Sequence, residues 1–131
     1  MNRYLLDTHA WLWAISEPKL LSSKVRTVLK DPQGMVYFSL ASAWEIAIKR
    51  SLGKLELTNV TDLDVFITQI NANAGVGTLP ITLSDVCSVG VLPWHHRDPF
   101  DRLLVAQATS EHLTLITNDP QIAAYGVDVF W

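Results

Sequence analysis

A chain of 131 residues is long enough for one domain spanning 1–131, burying roughly two thirds of the surface that its unfolded form exposes. A hydrophobic fraction of 49% excludes a disordered chain, and no apolar run approaches the ~18 residues that a membrane helix needs. The single cysteine, Cys87, excludes an internal disulfide, while a net charge of −3 excludes a uniformly basic nucleic-acid-binding face.

In chain order, Arg3 to Leu6 reads as a short buried strand followed at once by Asp7-Thr8 and a helix through Ile15. Asp7 and His9 interrupt the apolar start before a signal-peptide core can form, which points to a cytoplasmic protein. Pro18 ends the helix, and Ser22-Ser23 caps a second one with Val25, Val28 and Leu29 on its buried stripe. Asp31-Pro32-Gln33-Gly34 is a turn, and Met35 to Phe38 is a strand. Ser39 or Ser42 opens a helix through Ile48, with Lys49 and Arg50 in its last turn and Gly53 at C′.

Thr61 to Ala72 has Leu63, Phe66, Ile67 and Ile70 at helical spacing. Thr78 to Ile81 is a strand candidate, and Leu83 to Leu92 a helix closed by Pro93. Asp98-Pro99 begins a helix through Ala108, Leu113 to Ile116 is a strand, Asp119-Pro120 starts a short helix, and Val127 to Phe130 is a last strand. Short apolar strands alternating with helices predict an α/β fold, a sandwich whose parallel sheet is covered on both faces. In such sheets ligands sit beyond the carboxyl ends of the strands, where Asp7 and Asp119 fall.

Several acids lack an ordinary explanation. Asp98 and Asp119 each precede a proline, so each can serve as a helix N-cap, and Asp101 can be the third-position acid of a capping box. Yet Asp101 has Leu104, Val105 and Ala108 on its own helical face. Glu45 lies among Ala41, Ala43, Trp44, Ile46, Ala47 and Ile48, and a buried carboxylate is costly unless it is paired or binds metal. A helix pair with Lys49 at i+4 is its ordinary reading. For Asp7 the following Thr8 would serve as the cap, leaving the carboxylate without a structural task. Carboxylates brought together repel unless cations intervene. In the absence of a His/Cys spacing suited to zinc, oxygen ligands point to Mg²⁺ or Mn²⁺, ions that activate water for phosphodiester cleavage.

The bases fit such a site without demanding it. No Lys or Arg lies between Lys54 and Arg97 or after Arg102, and Lys49, Arg50, Lys54, Arg97 and Arg102 fall near Glu45 and Asp101. With four acids neutralised by metal, ten bases face nine acids, which leaves a nearly neutral surface with positive strips. Lys49, His96 and Arg97 are candidate RNA-phosphate contacts, and His9 supports the site. Trp44 and Trp131 are expected in the core. Trp11 and Trp13, two residues apart on one helix, cannot both face it, so one is expected on a surface covered by another chain. Cys87 is expected as a small buried residue.

Four segments, LLDTHAWLW at 5–13, SLASAWEIAIKRSLGKL at 39–55, HRDPFDRLLVAQA at 96–108 and LITNDPQIAAYGV at 115–127, together resemble the PIN-domain ribonucleases, specifically the VapC-type toxins of bacterial toxin–antitoxin pairs. The resemblance runs nearly end to end. It implies a PIN-like three-layer sandwich with a short central parallel sheet, and an Mg²⁺- or Mn²⁺-dependent endoribonuclease. It implies that Asp7, Glu45, Asp101 and Asp119 are the acidic quartet that binds metal, with Thr8 and Thr117 as flanking hydroxyls. Asp98 is an extra acid, which leaves open whether it or Asp101 is the main ligand. Homodimers and a cognate antitoxin that blocks the acidic site are further implications. The alternatives are a catalytically inactive PIN-like module that binds metal and protein, a haloacid-dehalogenase-type phosphotransferase, and a receiver-like module. The second wants an acid where His9 stands, and the third a lysine where Thr117-Asn118 stands.

Overall fold

The computed structural model describes residues 2–131. The order is β1 (Arg3–Leu6), α1 (Thr8–Ser16), a 3-10 turn (Pro18–Leu20), α2 (Ser23–Lys30), β2 (Met35–Ser39), α3 (Leu40–Ser51) and α4 (Leu63–Ala74). It continues with β3 (Gly77–Leu79), α5 (Leu83–Val89), α6 (Pro99–Glu111), β4 (Thr114–Ile116), α7 (Pro120–Ala123) and β5 (Val129–Phe130). The five strands form one parallel sheet in the order β3-β2-β1-β4-β5. The winding reverses between β1 and β4, so the two connections leaving that pair go opposite ways and open a crevice at their carboxyl ends.

Alternation along the strands feeds two cores. Tyr4, Leu6, Val36, Phe38 and Ile116 pack with Trp11 of α1, Val25 of α2 and Ile67 and Ile70 of α4 on one face. Leu5, Leu79 and Leu115 pack with Leu104 and Val105 of α6 and Ile122 of α7 on the other. The result is the three-layer α/β sandwich expected. Helix α3 lies across the carboxyl edge and serves both cores, Ile46 the first and Ala41 the second. Ser39, not Ser42, caps it by accepting from the Ala41 N–H at 2.9 Å, and Gly53 follows its end at φ 71°. The buried Gln107 amide ties the sheet edge to α6, accepting from Ser39 Oγ at 2.5 Å and donating to the Pro80 carbonyl at 3.1 Å.

Where boundaries differ from the sequence reading, the cause is local. α4 starts two residues later, because Asp62 accepts from the Val65 N–H, and it runs on to Gly75, whose φ of 69° closes it. β3 ends at Leu79 because Pro80 has no N–H for the ladder. α5 stops at Val89 rather than Leu92, and a guanidinium described below takes the carbonyls of Val89 and Leu92. β5 pairs only at Val129 and Phe130.

Two core expectations are corrected. Trp44 is 55% exposed, because Ile46, two residues on and so on the opposite face of α3, takes the core position. Its ring meets Phe100 edge-on at 5.0 Å. Cys87 is exposed, because α5 turns the neighbouring Asp85 inward to Ser110 at 3.1 Å. Trp131 packs against the first core, as expected. Trp11 and Trp13 do separate: Trp11 is buried and donates to Asn71 at 2.8 Å, while Trp13 packs on Trp131 at 5.9 Å. A neighbour from this same chain therefore covers part of Trp13.

Leu115 is fully buried on β4, just ahead of the segment that carries Asp119. Leu115→Ala should lower stability by about 2–5 kcal/mol, measured as a shift in the urea midpoint with an unchanged m-value.

Candidate active site

Asp7 follows β1 and Asp119 lies three residues beyond β4, so the adjoining strand ends deliver both to the crevice where the winding reverses. The Asp7 N–H donates to the Ile116 carbonyl at 3.1 Å and extends the ladder to the site itself. Asp7, not Thr8, is the N-cap of α1: its Oδ1 accepts from the Ala10 N–H at 2.7 Å. The Thr117 hydroxyl also hydrogen-bonds Asp7, and its oxygen accepts from the Asp119 N–H at 3.1 Å. Asp119 divides its oxygens, Oδ1 capping α7 through the Gln121 N–H at 2.8 Å and Oδ2 turning to His96.

Relieved of capping, Thr8 turns to α3. It donates to Glu45 Oε1 at 2.6 Å and is also hydrogen-bonded with Ser42 Oγ at 2.9 Å. Glu45 is 2% exposed, and its second oxygen accepts from Lys49 Nζ at 2.5 Å. The i+4 pair read from sequence is thus real, and it keeps Lys49 turned onto the acids. Lys49, Lys54, His9, Trp13, Thr8 and Glu45 line a cavity of about 430 Å³ beside them.

The remaining part of the site comes from the start of helix α6. Asp98 is its N-cap, with Oδ1 accepting from the N–H groups of Phe100 at 2.8 Å and Asp101 at 3.2 Å. The capping box does not close. The Asp98 N–H donates instead to His96 Nδ1 at 3.2 Å, which leaves the Asp101 carboxylate free of helix duty. His96, expected on a phosphate-facing loop, turns inward: its Nε2 lies 3.0 Å from both Asp101 Oδ2 and Asp119 Oδ2. Arg97 is exposed, as a phosphate contact requires.

Arg102 does not join a positive strip. It is 2% exposed, and its guanidinium donates to the carbonyls of Pro93 at 2.8 Å, Val89 at 2.9 Å and Leu92 at 3.3 Å and to the Tyr125 hydroxyl at 2.9 Å. It also lies 3.8 Å from the centre of the Trp94 ring. A buried cation met only by neutral acceptors pins the loop that carries His96, and the Tyr125 hydroxyl accepts from the His96 N–H at 3.1 Å. Sequence reasoning missed these two residues as site organisers. The available signal was an arginine running directly into the apolar stretch Leu103 to Ala106.

The electrostatics join the acids into one field. The Asp101 carboxyl is pushed up to about 8, first by burial and then by the charges of Asp98, Glu45, Asp7 and Asp119. Burial foremost also raises Asp7, with help from Asp119 and against the bonds from Thr117 and Ala10 and the charge of His9. The Lys49 ammonium is held charged above its usual range, chiefly by its bond to Glu45 and further by Asp98 and Asp101. Mutually repelling oxygen donors are what a divalent cation neutralises, and the donor atoms of Asp101, Asp119 and His96 lie within 4.8 Å of one another. The residues fit a divalent cation.

The PIN domain family model matches residues 4–127. The chain belongs to the PIN domain family. PIN domains are in general nucleases. No curated protein gave a match to this PIN domain. Among solved structures it is similar to DNA-bound VapBC from Salmonella typhimurium (13% identity, TM-score 0.69, covering 99% of this chain and 98% of that one). It is also similar to VapBC2 from Rickettsia felis bound to a fragment of promoter DNA (15%, 0.66, 97% and 96%). FitAcB from Neisseria gonorrhoeae shares 24% identity at a TM-score of 0.58, over 98% of this PIN domain and 96% of the other chain.

The raised Asp101 carboxyl sets a pH dependence. Between about pH 4 and about 8 the folded chain holds a proton here that the unfolded chain has released. The contribution of Asp101 to stability therefore falls as pH climbs through that window and levels off above it. Thermal melts of EDTA-treated protein should show that decline, and Asp101→Asn should flatten it and raise the melting temperature at the alkaline end.

Proposed function

We propose that this chain is a single-domain, cytoplasmic endoribonuclease of the VapC type, the toxin of a type II toxin–antitoxin pair, dependent on Mg²⁺ or Mn²⁺. The observation that carries the reading is the gathering of carboxyl groups in one crevice at the carboxyl edge of the sheet, where Asp101 Oδ2 and Asp119 Oδ2 each lie 3.0 Å from His96 Nε2 and the Asp7 N–H joins the end of β4. Family membership supports nuclease chemistry, and the likeness to the VapBC complexes supports an antitoxin as partner. No helix of the described residues is long and apolar enough to cross a membrane.

In this reading Asp7, Glu45, Asp101 and Asp119 hold the ion, and Thr8 and Thr117 fix the angles of Glu45 and Asp7. The bound ion supplies a water nucleophile at neutral pH and stabilises the oxygens of the displaced phosphodiester. RNA enters along the cavity walled by Lys49, Lys54 and Trp13, with Arg97 at the outer surface; an aromatic ring flanked by cations suits a single strand. The partners are RNA, a cognate antitoxin and a second copy of the chain in a homodimer.

The test is cleavage of a broad RNA panel by purified protein with Mg²⁺ or Mn²⁺ and with EDTA. Chelation should abolish cleavage. Asp7→Asn and Asp101→Asn should lower it by more than about a hundredfold, since even residues behind the ligands cost 10–100-fold. Asn caps a helix as well as Asp does, so circular dichroism of Asp7→Asn should match wild type. Full cleavage by either variant, or by EDTA-treated protein, overturns the assignment. Metal binding without cleavage favours the inactive module instead.

A further inference from the structure

His96 sits where a ligand of the ion would sit, and its surroundings define which role it plays. Donor atoms bound side by side at about 2.1 Å to an octahedral ion lie roughly 3 Å apart, and Nε2 is 3.0 Å from Asp101 Oδ2 and from Asp119 Oδ2. On distance alone His96 passes for a third ligand.

Its other nitrogen contradicts that. Nδ1 accepts the Asp98 N–H at 3.2 Å, so Nδ1 carries no hydrogen and the neutral ring has its proton on Nε2. A histidine that binds metal through Nε2 shows the reverse pattern, with Nδ1–H donating to a carboxylate, carbonyl or water. Here the backbone of the residue two places on fixes the tautomer that cannot ligate. The Nε2–H is aimed at Asp119 Oδ2, with Asp101 Oδ2 at equal distance.

We propose that His96 is a positioning residue that competes with the ion: its Nε2–H, bonded to Asp119 Oδ2 and 3.0 Å from Asp101 Oδ2, stands between the two carboxyl groups in the ion's place, and metal binding must release it. The inference rests on the metal-dependent reading above. Release needs only side-chain rotation, because Arg102 and Tyr125 hold the loop backbone at Val89, Leu92, Pro93 and His96. The contact keeps the two ligands near their working spacing, and it raises the cation concentration at which the site fills.

Mn²⁺ titrations followed by the electron paramagnetic resonance signal of the free ion test this on wild type, His96→Ala and His96→Gln. Losing the hydrogen bond to the Asp119 carboxylate should let His96→Ala bind Mn²⁺ about tenfold more tightly. His96→Gln, which keeps an N–H donor of comparable reach, should stay near wild type. Pulsed spectra of the wild-type Mn²⁺ complex should show no directly coordinated imidazole nitrogen, and this readout decides the matter if the alanine variant does not fold. Weaker or unchanged binding by His96→Ala, equal tightening by His96→Gln, or a coordinated nitrogen overturns the proposal. Weaker binding with RNA cleavage intact removes it and leaves the nuclease reading standing. No Mn²⁺ binding by wild type or His96→Ala removes both.

Discussion

Four carboxylates, Asp7, Glu45, Asp98 and Asp119, bear on the buried carboxyl of Asp101 at the edge of a short parallel sheet, and the side chains around them offset that repulsion. The compensation is distributed. Lys49 meets Glu45, His96 meets Asp101 and Asp119, and hydroxyls of Thr8 and Thr117 meet Glu45 and Asp7. Asp101 has the least of this help. Of the four clustered aspartates it alone caps no helix, and its carboxyl is the one driven to about 8.

The topology explains why such a cluster can form from residues far apart in sequence. Two neighbouring strands end side by side with their connections leaving in opposite directions, so Asp7 and Asp119 meet without a long loop. Helix α3 crosses the same edge and α6 starts beside it, bringing in Glu45 and Asp101 from rigid elements. His96 comes from the loop ahead of α6, and that loop is held from beneath by the buried Arg102.

Most of this was legible from local pattern. All five strands and the parallel sandwich follow from short apolar runs separated by helical spacing and punctuated by proline and glycine. Glu45 stood out as a carboxylate within an apolar helix, and Asp98 and Asp119 announced themselves as caps through the prolines that follow. The errors share a cause, which is that a sequence does not say which of two neighbours on a helix is turned inward. Ile46 displaced Trp44, and the polar pairing of Asp85 with Ser110 turned Cys87 outward. Likewise, no spacing rule reveals that the Asp98 N–H would choose a histidine ring over the expected capping-box acid, and the inward turn of His96 hangs on that choice.

Three of the clustered aspartates also finish helices, Asp7 for α1, Asp98 for α6 and Asp119 for α7. An amide side chain would complete those helix starts as well as a carboxylate does. If Asp7 and Asp119 hold the ion as proposed, the route from a working centre to a silent one is short and nearly free of structural penalty. Descendants of such a chain can shed their chemistry by single aspartate-to-asparagine changes while keeping a sound scaffold, ready to be retained for contacts with other macromolecules.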